Sequence, residues 1–279
     1  MGWGPTVVVL TSLHQALRYG RACPHLRGST VPPMDRALPR LAKPFPANAF
    51  PTPTCPTCLD GQLAVQNFEE AHTSSSRRQY EDDERHAPGS ANQLDYTGTF
   101  IADLRCSMPR CRELLRATGD TFYDVADDGS CYLAARVRTV WPPLPLVDLP
   151  VGCPETVGSE IHNASAVVWI STATAVARLR TALERLLDDQ GVPSPVKGRP
   201  TIHDRIEMLQ TSDPRLPEFL SAVKWSGNTA IHEAEGLTFT DVADAASALE
   251  RVVMALYGTD HVLERAREIN RRKVPISQP

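Results

Sequence analysis

Two pairs of cysteines set the strongest constraint on how this chain can fold. Cys55 and Cys58 are separated by two residues, and Cys106 and Cys111 by four. A tight turn that carries two thiolates at such a spacing supplies half of a tetrahedral metal site, and two such turns complete it. Turn-forming and strand-like residues follow each pair, as expected at the tips of adjacent hairpins. The pattern therefore predicts a zinc ribbon held by these four cysteines.

Two other interpretations of the four cysteines stay open, namely ordinary reduced thiols and a redox-active pair at Cys55 and Cys58. Four thiolate ligands leave no coordination position for a substrate, so the predicted Zn²⁺ is structural and not catalytic. The remaining cysteines, Cys23, Cys131 and Cys153, have no partner at ligand spacing and are interpreted as incidental.

The charge and hydropathy of the chain narrow the classes of partner. The formal net charge of -4 gives no global attraction to nucleic acid, so any such contact needs a local basic patch. No uncharged apolar run reaches the roughly 18 residues that a membrane span needs, and residues 1–10 lack a basic leading segment. We therefore expect no membrane contact and a cytoplasmic, reducing location, where disulfides are rare.

Composition changes several times along the chain and predicts an α+β protein, with a small β zinc ribbon followed by an all-α helical bundle. Met34 offers an alternative start of translation. The expected segments are a disordered N-terminal segment (1–48), a zinc-ribbon module (49–135) with a polar insert (about 72–92), a Pro-rich linker (136–156), a helical domain (157–258) and a basic C-terminal helix or tail (259–279).

Short alternating segments in the cysteine module predict strands at residues 61–65, 96–102 and 112–118. The polar insert has almost no apolar content, which predicts a solvated loop. The prolines that follow the module favour extended backbone, so a linker is expected there.

Hydrophobic periodicity predicts four helices beyond the linker, joined by short loops as in a bundle. They are a long amphipathic helix from Val168 to near Gly191, one that opens at Thr201 with Asp204 as a cap, one that begins around Pro217, and one from Thr240 to Gly258.

The order of these elements resembles the bacterial family of the domain of unknown function 4145. The landmarks are the Arg180–Glu184 helix, the Arg205–Leu209 helix, and Gly227-Asn228 followed by His232. Members of that family occur alone, behind small zinc ribbons and attached to restriction-type helicase subunits. The resemblance implies a role in a bacterial defence or restriction-type system.

That family in turn is similar to the HEPN domains (higher eukaryotes and prokaryotes nucleotide-binding), which implies an HEPN-like bundle and a homodimer. Many HEPN proteins are metal-independent ribonucleases with an arginine, a polar residue and a histidine at the dimer interface. Here Asn228 matches the polar residue and His232 the histidine, but Gly227 replaces the arginine. RNA cleavage needs a base and a cation, and Lys224 is the candidate cation nearby. Trp225 is expected in the core.

We therefore expect a non-catalytic interaction or nucleic-acid-associated module with a protein or nucleic-acid partner. The alternative is a divergent HEPN-type ribonuclease with His232 as base, Asn228 as positioning residue and Lys224 as charge stabiliser. A metalloenzyme built on His203, His232 and Glu233 is a weaker alternative, because these residues lack ligand-type spacing.

Overall fold

The computed structural model of the chain describes residues 37–87, 92–192, 201–211, 213–232, 236–258, 267 and 269–271, without the side chains of residues 93, 231 and 232. The fold is mixed α+β, as predicted. The strands are β1 (Phe45–Pro46), β2 (Leu63–His72), β3 (Thr97–Cys106), β4 (Leu114–Val125) and β5 (Cys131–Trp141). The α-helices are α1 (Leu38–Leu41), α2 (Ser74–His86), α3 (Glu155–Val167), α4 (Thr172–Asp189), α5 (Ile202–Met208), α6 (Leu216–His232) and α7 (Phe239–Tyr257).

The strands form a single antiparallel sheet in the order β1-β5-β4-β3-β2. Buried and exposed residues alternate along β3, because successive side chains of a strand point to opposite faces. On the buried face, Phe100 stacks on Phe68 with ring centroids 5.0 Å apart and meets the edge of Phe50 at 6.2 Å. The register of β2 on β3 pairs Leu63 with Cys106, which brings the two cysteine pairs to one end of the sheet.

The predicted disorder of residues 1–48 is wrong for residues 37–48, which carry α1 and β1. Leu38 and Leu41 are buried, and Phe45 pairs with Ala135 at the edge of the sheet. These apolar side chains cover the sheet, so the segment is ordered by long-range burial although it has no local periodicity. Residues 1–36 of that predicted segment lie outside the described residues.

The polar insert is a helix over much of its length, and the predicted loop is wrong there. Thr73 caps α2 by accepting a hydrogen bond from the Ser76 backbone N–H at 3.2 Å. The buried Ser76 hydroxyl also accepts from the Thr97 backbone N–H at 2.8 Å, and Tyr96 meets Tyr80 edge-on at 5.6 Å. A cap and a few anchors to β3 therefore stabilise a helix that lacks an apolar face.

The long helix that was predicted to start at Val168 starts one turn later, at Thr172. Another helix, α3, precedes it and was not one of the four predicted helices. Helix α3 ends at Val167, and α4 starts after Ser171, whose side chain accepts from the Thr174 backbone N–H at 3.1 Å. Between them Trp169 stacks on Phe239 of α7 with centroids 5.4 Å apart. The cap and the stacking explain the break between the two helices.

Helices α5, α6 and α7 begin within two residues of their predicted starts. Capping boxes at Thr201 with Asp204 and at Thr238 with Asp241 fix the first turns of α5 and α7. The fully buried Arg205 of α5 donates to the Asp188 carboxylate at 2.7 Å and to the Val192 carbonyl at 3.0 Å, which ties α5 to the C-terminal end of α4.

The predicted linker at 136–156 is wrong as a description of the junction between sheet and helices. Residues 136–141 belong to β5, and Leu144, Leu146 and Val147 are buried in the same core as the helices. The Leu146 backbone N–H donates to the Ser165 hydroxyl at 3.1 Å, and the Asp148 backbone N–H to the Glu250 carboxylate at 2.8 Å. Proline keeps the segment extended, but its apolar residues dock it on α3 and α7.

The described part of the chain contains no helix that is both long and apolar enough to cross a membrane. The predicted basic segment 259–279 falls almost wholly outside the described residues, with Arg267 and Arg271 among the few positions that are described.

Candidate metal centre and the polar flank of helix α6

The first cysteine turn precedes β2 and is closed by backbone hydrogen bonds. The Leu59 N–H donates to the Cys55 carbonyl at 3.0 Å, and the Cys55 N–H donates to the Gly61 carbonyl at 2.8 Å. Leu59 adopts a left-handed conformation with φ of 60°, which lets the chain turn back directly after Cys58. From this turn both thiols of the pair face the second cysteine pair.

The second cysteine turn connects β3 to β4 and has a similar closure. The Met108 N–H donates to the Cys106 sulfur at 3.4 Å, and the Arg112 N–H donates to the Met108 carbonyl at 3.1 Å. Arg112, the residue after Cys111, is left-handed with φ of 53°, as Leu59 is after Cys58. The turn thus accommodates the two additional residues between Cys106 and Cys111, and both thiols still face the first pair.

Contacts across the two turns fix their separation. The Ser107 N–H donates to the Gln62 carbonyl at 2.9 Å, and the Thr57 hydroxyl donates to the Glu113 carboxylate at 2.7 Å. Gly61 lies against the second turn so closely that an added Cβ would lie 2.4 Å from the Cys106 sulfur. Only glycine therefore fits at position 61 without displacing a thiol.

The four predicted cysteine side chains come together as one cluster. The ligand atoms of Cys55, Cys58, Cys106 and Cys111 all lie within 4.8 Å of one another, and the four residues are buried or half-buried. The sulfurs of Cys55 and Cys111 are 3.7 Å apart, and those of Cys58 and Cys106 are 3.6 Å apart. A disulfide needs about 2.05 Å, so these are free thiols at a spacing compatible with a shared metal ion. We call this group the cysteine cluster.

The thiols of the cysteine cluster ionise unequally because their surroundings differ. Burial raises the pKa of Cys111 to about 12 and also raises the pKa of Cys106. Burial opposes ionisation of Cys58 as well, but the backbone N–H groups of Asp60 and Gly61 lower its pKa overall. A metal ion that binds thiolates must displace the protons that these buried groups otherwise hold.

The second candidate site lies on α6, where Lys224, Asn228 and His232 follow one another at four-residue intervals. One continuous helix carries all three, as the sequence predicted. The His232 side chain lies outside the described atoms, as does Glu233, while His203 contacts Glu207 on α5 at 3.4 Å. The described part of this region therefore consists of Lys224, Asn228 and their neighbours.

A guanidinium from another helix lies beside Asn228, although the sequence indicated no arginine next to the candidate motif. Arg180 of α4 donates from Nη1 to the Asn228 side-chain oxygen, and its Nε lies 3.4 Å from the Glu184 carboxylate. A Cβ at Gly227 would lie 2.7 Å from the Arg180 side chain, so the glycine makes room for it. The sequence indicated a candidate cation only on α6 itself, at Lys224, whereas the packing of α4 against α6 brings Arg180 beside Asn228.

Trp225 is exposed, and the expectation that it belongs to the core is wrong. Its exposed fraction is 63%, whereas neighbouring Lys224 is only 6% exposed. The Lys224 ammonium lies 4.0 Å from the centroid of the indole ring. The long aliphatic stem of lysine takes the buried position beside the core, and the tryptophan lies over its charged end.

Comparisons with known proteins bear on the helical part of the chain alone. No curated protein and no solved structure matches the chain. The family model described as Domain of unknown function (DUF4145) matches residues 162–272, which include Arg180, Gly227 and Asn228. The match confirms the resemblance stated from the sequence, so the helical region from within α3 to beyond α7 is similar to the family described as Domain of unknown function (DUF4145).

Proposed function

We propose that this protein is a non-catalytic interaction module in which a structural Zn²⁺ in the cysteine cluster holds a zinc ribbon at one end of the sheet. The observation that carries the proposal is the arrangement of the four sulfurs. Ligands about 2.3 Å from a tetrahedral zinc ion lie about 3.8 Å apart, close to the 3.6 and 3.7 Å between opposing sulfurs.

Four protein thiolates complete the coordination of zinc and leave no position for a water molecule or a substrate. The chemistry that zinc supplies here is structural, since it joins two turns that otherwise share only a few hydrogen bonds. The helical domain then acts as the interaction surface, as a homodimer that binds a protein or nucleic-acid partner. A role in a bacterial defence or restriction-type system follows from the family resemblance and belongs to the same proposal.

The proposal is tested on purified protein by measuring zinc per chain, mass in solution and RNA turnover in the presence of a chelator. We expect one zinc ion per chain, a dimer by light scattering and intact RNA. A metal-free protein with unchanged stability would contradict the structural role of zinc. A monomer at micromolar concentration would contradict the homodimer.

A metal-independent HEPN-type ribonuclease is the second candidate function, and the Arg180–Asn228 contact favours it. In such a reaction His232 accepts the proton of the RNA 2′-hydroxyl, whose oxygen attacks the adjacent phosphorus. The 5′-oxygen leaves with a proton taken from water, His232 afterwards releases its proton to solvent, and a 2′,3′-cyclic phosphate remains. Arg180 or Lys224 offsets the charge that develops on the phosphate oxygens.

This candidate predicts that the wild type cleaves RNA in chelator with cyclic phosphate ends and that His232→Ala does not. Arg180→Gln is expected to slow cleavage about 100-fold or more, as loss of one charge-stabilising donor does in other active sites. Arg178→Gln is the matched control, because Arg178 lies on the same helix but contacts Glu160 instead. Equal cleavage by the wild type and His232→Ala would identify a contaminating nuclease.

A further inference from the structure

The flank of α6 beside α4 gathers two cations and one aromatic ring. At about 100° per residue, Lys224, Trp225 and Asn228 span an arc of roughly 100° next to the buried stripe of the helix. Arg180 reaches the same flank from α4 through its contact with Asn228. We refer to Lys224, Trp225 and Asn228, together with Arg180, as the α6 flank.

Lys224 places an ammonium group in the α6 flank that has no anionic partner among the residues described by the structure. The residue is 6% exposed, and within the described part of the chain no carboxylate or carbonyl accepts a hydrogen bond from Nζ. Its contact is with the Trp225 ring at 4.0 Å. Because removing an ammonium from water is costly and a cation–π contact offsets only part of that cost, an anion at this position would bind favourably.

Arg180 adds a second cation with donors to spare. Its Nε faces Glu184 and its Nη1 faces Asn228, while Nη2 has no hydrogen bond among the described residues. Glu184 is the single carboxylate within 4.0 Å of either cation in the described ranges, so Lys224, Arg180 and Glu184 together carry one net positive charge. A guanidinium and an ammonium at one site suit an anion with several acceptor oxygens, such as a phosphate.

Trp225 supplies a flat apolar surface next to these charges. The ring is 63% exposed, and Lys224 lies over one of its faces. A planar base can stack on an exposed indole whatever its sequence, since every base presents a π-face. An exposed aromatic ring next to two cations that can bind phosphate favours a ligand that carries both a base and a phosphate.

We propose that the α6 flank binds one nucleotide unit, with its base stacked on Trp225 and its phosphate between Lys224 and Arg180. The inference rests on the proposed function, since it names the chemical class of the partner that the interaction module binds. The unit is either a free nucleotide or one residue of a single-stranded nucleic acid. The net charge of -4 gives no global attraction to a long nucleic acid, so we expect the site to bind a single unit.

Titration of the zinc-loaded full chain separates the sources of this chemistry. The probes are adenosine monophosphate, inorganic phosphate and a ten-nucleotide single-stranded RNA. Calorimetry and tryptophan fluorescence measure the binding of each probe. The mononucleotide is expected to bind about tenfold or more tighter than phosphate, because stacking adds to the ionic contact. Binding of the mononucleotide as tight as that of the RNA identifies a free nucleotide, whereas binding of the RNA alone identifies a strand.

Variants assign the binding to these side chains. Trp225→Ala is expected to weaken binding about fivefold to a hundredfold, and Trp225→Phe to restore most of it. Trp141→Ala is the matched control, because Trp141 is a tryptophan of equal exposure, 64%, on the sheet. Lys224→Met keeps the buried stem, removes the charge and is expected to weaken binding about tenfold. If Lys224→Met does not fold, the two tryptophan variants still decide the outcome.

Two results would overturn the inference. One is the absence of binding of both the mononucleotide and the RNA at millimolar concentration to wild-type protein that contains zinc and melts cooperatively. The other is the same affinity in Trp225→Ala and Trp141→Ala. Because zinc content is measured on the same samples, a missing metal counts against the proposed function and missing nucleotide binding against this inference.

Discussion

The cysteine cluster and the α6 flank both gather polar atoms where two segments of the chain meet, but their groups differ in how completely they are partnered. In the cysteine cluster four like groups face one centre, and neighbouring N–H groups, such as that of Met108, donate to the sulfurs. In the α6 flank Lys224 and the Nη2 of Arg180 keep donors that no described residue uses, beside the exposed ring of Trp225. A closed set of ligands stabilises a fold, whereas an open set of donors can receive a ligand from solution.

The two sites also depend on the chain in different ways. Each half of the cysteine cluster forms within a turn of about seven residues, and one strand register joins the halves. In the α6 flank, Asn228 and Arg180 lie 48 positions apart in sequence. They are on two different helices that pack against each other in the core. Disruption of the cysteine cluster is therefore expected to unfold structure, and disruption of the α6 flank is expected to change binding more than stability.

The largest effect is expected from loss of a cluster ligand. Cys106→Ser removes a soft ligand at the point where both turns meet, so binding of the proposed zinc ion and the stability it would supply are expected to be lost together. Zinc per chain and the urea midpoint of unfolding measure this. Cys131→Ser, at an exposed cysteine outside the cluster, is the control and keeps both values. Full zinc occupancy in Cys106→Ser would remove that cysteine from the ligand set.

A pair of glycine variants compares the rigidity of the two sites. In Gly61→Ala the new Cβ lies 2.4 Å from the Cys106 sulfur, and in Gly227→Ala it lies 2.7 Å from the Arg180 side chain. We expect Gly61→Ala to lower the free energy of unfolding by about 3 kcal/mol. Gly227→Ala is expected to lower it by about 2 kcal/mol, because the Cδ of Arg180 can move but its Cβ is fixed to α4, while alanine favours the helix.

Chemical denaturation in the presence of zinc measures both glycine variants. A larger loss for Gly227→Ala than for Gly61→Ala would reverse the proposed difference in rigidity. Nucleotide binding should weaken in Gly227→Ala, because Arg180 is displaced, and should stay unchanged in Gly61→Ala.

The junction between the sheet and the helices supplies a pH test. Burial raises the pKa of Glu250 from 4.5 to about 6, while the Asp148 backbone N–H opposes the shift. The folded state thus holds this proton more tightly than the unfolded state, so wild-type stability falls as the pH rises from about 4.5 to about 6. Above that range Glu250→Gln is expected to be more stable than the wild type by about 2 kcal/mol.

Below pH 4.5 the advantage of Glu250→Gln is expected to vanish, since the wild-type carboxyl is then neutral in both states. Unfolding midpoints from pH 4 to 8 follow the effect. Glu207→Gln, at an exposed carboxylate, should show no such dependence. A constant difference between Glu250→Gln and the wild type over this range would exclude a buried charge as its cause.

The smallest effect is expected at the left-handed residue of the first turn. Leu59 is 62% exposed and has φ of 60°, so its side chain gains little from packing while its backbone is strained. Leu59→Gly is expected to raise the free energy of unfolding by about 0.5 kcal/mol, the relief of strain being partly offset by greater freedom of the unfolded chain. Leu59→Ala, which keeps the strain, should show no gain.

The sequence predicted those parts of the protein whose structure depends on residues close together in the chain. The spacing of the four cysteines, the capping pair at Thr201 and the apolar stripes of α4 and α7 each show within a few turns of chain. Helix α2 was missed because its polar residues give no periodic signal, and one cap with a few contacts to β3 decides it. The segment at 37–48 was missed because its burial depends on β5.

The amino-acid sequence by itself determined which cysteines form the cluster, where most of the C-terminal helices begin, and that a polar series ending at His232 lies on one helix. Turns, helix caps and hydrophobic periodicity depend on residues a few positions apart, so the local sequence is enough to predict them. The tertiary structure alone decided that residues 144–148 join sheet and helices in one core, that Trp225 faces solvent, and that Arg180 meets Asn228. These features depend on which surfaces pack together, and that is settled by burial summed over the whole chain.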